Sequence, residues 1–408
     1  MADTRADLPG DADPDRRARA NVLRLAAAQA LAGANSAVIF ATGSIIGAQL
    51  APSAAYATVP LSVYVVGMAA GTLPTGWVAR HHGRRAAFMV GTGCGALTGL
   101  LAALALLLGS FPLYCAATFL GGLYAAVVLS FRFAAADGAS EAFRPRALSW
   151  VMAGGVFAGV LGPQLVTWTM DLWPPYLFAA SYLAQAAVAL VAMAVLAGVH
   201  LPRPAAAELA AAGRPLRQIA RQPRFVAAVT CGVVSYTLMN LVMTSAPLAM
   251  HLCGLPLSVS NFAIQWHIVA MYGPSFVTGT LIARFGAQRV VLAGFAITLA
   301  AAATGLSGVT AAHFSATLVL LGLGWNFGFV GASALVLETH HAEERTKVQA
   351  LNDFLVFGTM AVGSFSSGQL LAAHGWAAVN LAVIPPVALA IAVLAASGLL
   401  RRRAATAA

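Results

Sequence analysis

The sequence has very little charge, and almost none of it is lysine. Asp, Glu, Lys and Arg make up 9% of its 408 residues, and one lysine stands beside 22 arginines. Soluble domains carry about a quarter charged residues, so this composition excludes an ordinary soluble protein. The four cysteines, Cys94, Cys115, Cys231 and Cys253, include no Cys-x-x-Cys pair. They therefore indicate neither a zinc site nor a disulfide framework.

The sequence is instead rich in apolar residues, with 60% hydrophobic residues and a mean hydropathy of +0.81. These residues form twelve runs, each long enough to cross a bilayer as a helix. The runs are Leu25–Gln49, Val59–Val78, Ala86–Leu108, Leu113–Phe133, Ala147–Leu172, Pro175–Val199, Phe225–Pro247, Ser260–Ala283, Val290–Val309, Phe314–Leu335, Val348–Ala373 and Trp376–Leu400. We therefore predict an all-α membrane protein with twelve transmembrane helices.

The placement of the charges predicts the orientation of these helices. The formal net charge is +10, and five arginines fall in the longest polar stretch, 200–224. The connections of opposite parity, such as 50–58 and 248–259, contain no Lys or Arg. Because basic loops stay in the cytoplasm, we expect every basic residue and both termini on the cytoplasmic side of a bacterial inner membrane, with none at mid-membrane. The basicity thus points to the lipid bilayer as partner and not to nucleic acid.

The two halves of the chain repeat each other. The loop after the second run reads GWVARHHGRR from Gly76, and the loop after the eighth run reads GTLIARFGAQ from Gly279. In this alignment Gly83 matches Gly286. We expect two pseudo-symmetric six-helix halves around a central path. The expected units are a disordered cytoplasmic tail (1–22), an N-terminal bundle (23–199), a cytoplasmic linker (200–224), a C-terminal bundle (225–400) and a basic cytoplasmic tail (401–408).

The first of these loops resembles the signature loop of the major facilitator superfamily, GxxxDRxGRR, through Gly76, Gly83, Arg84 and Arg85. The resemblance extends along the whole chain. It implies the superfamily's fold and transport by alternating access, with this loop as a gating element. Arg80 stands where the family usually has an acidic residue, so the gating role of that acid does not carry over.

Sulfur and imidazole groups recur on two neighbouring runs. Met239 and Met243 are four residues apart on the seventh run, and His267 and Met271 are four apart on the eighth. Residues four apart share one helix face, and the two pairs lie at similar depth. Thioether and imidazole ligands suit Cu(I), so a copper site is one interpretation. Core packing by methionine is the alternative. Tyr64 is the repeat counterpart of His267, so the first half has no matching cluster.

These two motifs resemble those of the CcoA-like copper importers of the major facilitator superfamily. The resemblance implies import of copper for assembly of cbb3-type cytochrome c oxidase, with Met239, Met243, His267 and Met271 as copper ligands. It also implies a monomer without a cofactor, and a cytoplasmic or periplasmic copper chaperone as partner. Cys231, on the same face as Met239, and Cys253, in the outer loop, are candidates for a metal relay. Inert thiols are the alternative for both.

A second interpretation is transport of riboflavin or another small aromatic molecule, since relatives in the same subfamily carry riboflavin. Aromatic rings for stacking and an amide for hydrogen bonding are available in the second half. The candidate pocket consists of Tyr236, Trp266, Tyr272, Trp325 and Asn326. Packing and anchoring at the membrane interface are the alternative roles for these rings. No buried acid, base and nucleophile come together, which argues against an enzyme, and no soluble domain supports a sensor.

Overall fold

The computed structural model of the protein describes residues 14–53, 56, 59–201 and 213–407, and these parts are almost entirely helical. The helices are α1 (Pro14–Leu50), α2 (Val59–His82), α3 (Arg84–Leu108), α4 (Phe111–Asp137), α5 (Arg144–Thr169), α6 (Ala179–Ala197), α7 (Leu216–Ala220), α8 (Pro223–Leu252), α9 (Leu257–Tyr272), α10 (Ser275–Phe285), α11 (Ala287–Ser307), α12 (Ala311–Leu337), α13 (Arg345–Leu381) and α14 (Ile384–Ala407). A short 3₁₀ turn, Ala342–Glu344, precedes α13.

Eleven helical stretches in the described part of the chain have the length and apolar composition of membrane spans. One of them comprises α9 and α10, which are joined at Gly273 and Pro274. A twelfth segment is the first part of α13, a 37-residue helix that kinks at Gly375, where φ is 75°. The predicted all-α membrane fold with twelve crossing segments is therefore confirmed.

The internal repeat is visible in local geometry. The loop glycines Gly83 and Gly286 have nearly the same backbone conformation, with φ of 86° and 85°. This left-handed region favours glycine, because a Cβ would be strained there. Helices α4 and α12 are both 27 residues long, and each begins with a hydroxyl side chain, Ser110 or Thr310, that accepts a hydrogen bond from a backbone N–H three residues on.

Equivalent helix contacts also occur inside the two halves. A Cβ on Gly122 would lie 2.0 Å from the backbone oxygen of Tyr64, and one on Gly322 would lie 2.6 Å from that of His267. Only glycine allows the two helix backbones to approach so closely. Tyr64 and His267 therefore hold corresponding positions, as the repeat predicts.

Each half packs its own helices together and meets the other half along two seams. In the N-terminal half α1 packs on α5, α2 on α4, and α3 on α6. In the C-terminal half α8 packs on α13 and α12, and α9 and α11 pack on α12. The seams between the halves are α2 against α13, and α5 against α9 and α10. The interface between the halves is therefore lined by α2, α5, α9, α10 and α13.

The structure changes the expected boundaries at the tail and the linker. Helix α1 begins at Pro14, so residues 14–22 are helical and not a disordered tail. Ala18 and Val22, one turn apart, are buried and give this polar-looking segment an apolar stripe. The linker contains α7, whose Ile219 is fully buried. Residues 1–13 and 202–212 lie outside the described residues.

Candidate transport site

The two halves touch closely at the end of the molecule where the linker runs, which we call the linker face. A Cβ on Gly76 would lie 2.4 Å from the Cβ of Ala350, across the seam of α2 and α13. Its repeat counterpart Gly279 also lies close to the opposite half, where a Cβ would be 2.8 Å from that of Ser149 on α5. The Ser149 hydroxyl accepts from the Gly279 N–H at 2.9 Å. The two glycines that the repeat matches therefore both lie where the halves meet.

The predicted gating loop carries a polar cluster beside this contact. Arg84 forms an ion pair with Asp137 of α4 and donates a hydrogen bond to Gln349 of α13. Arg85 is exposed, whereas Gly83 is buried at the start of α3. Arg80 lies within electrostatic range of Lys347 in the opposite half, so these two positive charges repel each other. The acidic residue that the family usually has at this position would attract the lysine instead. Arg84, on the N-terminal half, thus bonds directly to the C-terminal half.

A second ion pair joins the halves deeper in the membrane. Arg132 of α4 donates to Asp353 of α13 at 2.5 Å and to the Ser333 hydroxyl at 3.2 Å. The side chains of Arg132 and Asp353 are 0% and 6% exposed. The guanidinium also lies 4.3 Å and 4.8 Å from the ring centres of Phe133 and Phe329, close enough for cation–π attraction. This pair therefore ties the halves together without contact with water.

The expectation that every basic residue lies in a cytoplasmic segment is wrong for Arg132, which is buried inside α4 and falls within the predicted run Leu113–Phe133. It sits five residues before the end of α4 that leads to the linker face. The tertiary structure buries it because α13 supplies a carboxylate at the same depth. An arginine within an apolar helix, together with an aspartate within another, is a signal from which sequence reasoning could have found the pair.

Beside this ion pair five aromatic rings of the C-terminal half form what we call the aromatic cluster: Tyr236, Tyr272, Trp325, Phe329 and Phe357. Trp325 stacks on Phe329 with ring centres 5.2 Å apart and an interplanar angle of 19°. Tyr236 presents an edge to Trp325, Phe329 and Phe357 at 5.5, 5.0 and 5.2 Å. Tyr272 meets Trp325 edge-on at 5.5 Å. Rings from α8, α9, α12 and α13 thus converge on one point.

The aromatic cluster lies at the boundary between the halves. The ring of Tyr272 packs on Gly155 of α5, where a Cβ would be 2.3 Å from the ring. Tyr236 lies within electrostatic range of Tyr64 on α2. Phe329 reaches Arg132, which belongs to the N-terminal half. A molecule bound at this cluster would therefore contact both halves, as alternating access requires.

Two members of the predicted aromatic pocket do not join the cluster. Trp266 is 48% exposed and contacts Phe262 on its own helix, so it faces away from Trp325. Asn326 is fully buried, but its amide is already engaged. Its nitrogen donates to the Met271 carbonyl at 2.6 Å, and its oxygen accepts from the Thr278 hydroxyl. These bonds bridge the break between α9 and α10, where Pro274 cannot donate a backbone hydrogen bond.

The four predicted copper ligands lie on α8 and α9. Met239, Met271 and His267 are buried, and Met243 is half-buried. The Nδ1 of His267 donates to the carbonyl oxygen of Leu318 on α12 at 2.6 Å, so one ring nitrogen is committed to helix packing. The described residues contain no group of three or more His, Cys, Asp or Glu side chains placed to hold a metal ion.

The two candidate relay cysteines differ in environment. Cys231 is completely buried within α8, and Cys253 is exposed at the end of that helix. Both are free thiols. A fully buried thiol has no contact with a water-filled path, so the structure favours the packing role for Cys231.

The linker is attached to the C-terminal half by an ion pair. Arg214 makes two side-chain hydrogen bonds to Glu344, at 2.7 and 2.6 Å, and its backbone N–H makes a third at 2.8 Å. The hydrogen bonds from Arg214 lower the pKa of the Glu344 carboxyl to about 2. The N–H of His341 also donates to this carboxylate. Glu344 is therefore ionised at any physiological pH.

Comparison with known proteins identifies the family. A sequence profile of the Major Facilitator Superfamily matches residues 25–275. The chain belongs to the major facilitator superfamily. Solved structures agree on the fold: the proton:xylose symporter XylE superposes with a TM-score of 0.75 at 14% identity, covering 94% of this chain and 95% of that one. A bacterial homologue of the iron transporter ferroportin, in an outward-facing state, gives a TM-score of 0.71 at 14% identity, with coverages of 93% and 99%. This member of the superfamily is thus a transporter and not an enzyme.

Relatives in sequence bear on the substrate. The riboflavin transporter RfnT of Brucella anthropi is 43% identical over 376 residues, which are 92% of this chain and 94% of that protein. An uncharacterised superfamily transporter of Bacillus subtilis, YdeG, is 29% identical over 86% of each chain. The prediction of copper import is therefore wrong, because a relative of this similarity along the whole chain is a riboflavin transporter. The copper-ligand role of the methionines and His267, the cysteine relay and the copper chaperone depended on that substrate and are not retained.

Proposed function

We propose that this protein transports riboflavin, or a closely similar aromatic molecule, into the cell by alternating access. The observation that carries the proposal is its 43% identity to the riboflavin transporter RfnT over 92% of the chain. The aromatic cluster supplies the physical reason. Trp325 and its neighbours offer stacking surfaces for a planar ring, and such contacts add to the free energy gained from burying aromatic surface.

Alternating access follows from the two-half construction. The halves meet at the linker face through Gly76 and Gly279 and through the Arg132–Asp353 pair. In the proposed cycle these contacts break when the halves rock apart, and the aromatic cluster becomes accessible from the linker face. We further propose that the linker face is cytoplasmic in a bacterial inner membrane, because basic residues cluster there, and that the protein acts as a monomer.

The proposal is tested by uptake of tritiated riboflavin in a riboflavin-auxotrophic bacterium that lacks its own transporter. Expression of the wild type is expected to restore growth on low riboflavin and to raise uptake well above background. Trp325→Ala is expected to abolish the increase, because it removes the central ring of the aromatic cluster. Trp266→Ala is the matched control, since this tryptophan lies outside the cluster. Background uptake by well-expressed wild type would refute the proposed substrate.

A further inference from the structure

Two buried hydrogen-bond donors beside the aromatic cluster lack partners. The indole Nε1 of Trp325 and the amide Nδ2 of Asn240 make no hydrogen bond with the described residues. Trp325 is 1% exposed and Asn240 is 7% exposed. A buried donor without an acceptor is unfavourable, so such groups are rare in native proteins unless water or a ligand completes them.

The two donors border the same cluster from different helices. Asn240 lies four residues beyond Tyr236 on α8, so the two side chains share one face of that helix. Tyr236 in turn contacts Trp325 of α12 edge-on at 5.5 Å. The two donors therefore lie on either side of Tyr236. Asn240 is one turn further along α8, and Trp325 is in direct ring contact with Tyr236.

Two other polar groups near the cluster have partners within the protein, whereas the hydroxyls of Ser235 and Thr237, on either side of Tyr236 in the sequence, are buried without one among the described residues. The amide nitrogen of Asn326, one residue after Trp325, donates to the Met271 carbonyl and to the Ser275 hydroxyl. Arg132, below the cluster, is paired with Asp353. The hydrogen-bonding groups without a partner beside the cluster are thus uncharged, and the two nitrogens among them, Trp325 Nε1 and Asn240 Nδ2, can only donate.

We propose that Trp325 Nε1 and Asn240 Nδ2 determine specificity by donating hydrogen bonds to acceptor atoms on the rim of the substrate's planar ring. The matching chemistry is an uncharged heteroaromatic ring with carbonyl oxygens or ring nitrogens at its edge, and a flavin ring has both. This inference rests on the proposed function and deepens it. A ring of the same size without such acceptors would leave both donors buried and unpaired, and would be rejected for that reason.

The test measures binding to purified protein with tritiated riboflavin, and with unlabelled lumiflavin, which has the flavin ring but no ribityl chain, as competitor. Trp325→Phe keeps an aromatic ring and removes the donor, and Asn240→Leu keeps a similar volume and removes the amide. Each is expected to weaken binding of both compounds by about tenfold. Trp266→Phe, which also removes an indole N–H but lies outside the cluster, is expected to bind as the wild type does.

The outcomes separate this inference from the proposed function. Affinities within twofold of wild type in both variants would overturn the inference while leaving riboflavin as the substrate. A loss for riboflavin without a loss for lumiflavin would also overturn it, because the donors would then contact the ribityl chain and not the ring. If the wild type binds neither compound, the proposed function itself fails. Size-exclusion chromatography identifies a variant that does not fold, and the other variant then decides alone.

Discussion

Replacing Asp353 by Asn is expected to release the halves at the linker face. In the closed arrangement Arg132 has no exposed surface, so loss of its carboxylate leaves a cation buried among Phe133, Phe329 and Ser333. Removing one partner of a buried ion pair costs about 3–5 kcal/mol. When the halves separate, water can reach Arg132, so most of this cost falls on the closed state alone.

The size of the shift follows from this difference. Because the Ser333 hydroxyl and two aromatic rings still stabilise Arg132 in the variant, we take the lower value, about 3 kcal/mol. This corresponds to a change on the order of 100-fold in the ratio of linker-open to linker-closed molecules. A protein that is almost entirely closed at the linker face would then populate both states.

Spin-label distances measure this ratio. Ala142 and Gln288 are exposed at the linker face on opposite halves, so cysteines there, in a background without the four native cysteines, report their separation. Asp353→Asn is expected to add a population at longer distance. The double variant Arg132→Met/Asp353→Leu, which removes both charges, is expected to return most molecules to the short distance. An unchanged distance distribution in Asp353→Asn would refute the reasoning, since the pair would not be what holds the face closed.

Three further predictions concern the linker face. Gly76→Val is expected to disfavour the closed state by about 1–3 kcal/mol and to lower transport, because its Cβ would lie 2.4 Å from that of Ala350. Gly93→Val is the control, since a Cβ there meets nothing within 4 Å. Equal transport by the two variants would contradict the prediction. Glu344→Gln is expected to loosen the linker, seen as several-fold faster tryptic cleavage after Arg217, three residues beyond Arg214. Equally slow cleavage in both proteins would be the contrary result. Because the folded pKa of Glu344 is lowered to about 2, its stabilising contribution is full above about pH 4.5 and is lost as the pH falls towards 2. The hydrogen-exchange protection factors of the wild-type linker, which are corrected for the intrinsic pH dependence of exchange, should therefore be the same at pH 7 and pH 5.

Spacing alone could not decide the copper prediction, which the similarity to RfnT contradicts. Spacing places Met239 and Met243 on one face of α8, and His267 and Met271 on one face of α9. It does not determine the direction in which either face points. That direction depends on how each helix packs, and the Nδ1 of His267 turns to the Leu318 carbonyl of α12. Residues at equal depth on neighbouring helices need not converge.

The sequence by itself determined the membrane-spanning helices and the internal repeat. Long apolar runs must be helical in a bilayer, since no water is available to satisfy the backbone. Gly76 and Gly279 could be matched by sequence alone, because helices approach closely at this position in both halves and only glycine fits there.

Only the tertiary structure decided which side chains share a site. Arg132 and Asp353, far apart in the sequence, form a buried pair because α4 and α13 meet at one depth. Trp325 joins the aromatic cluster while Trp266 does not, although both are tryptophans within apolar helices. The reason is rotational: sequence determines a residue's position along its helix, whereas packing between helices determines the direction in which its side chain points.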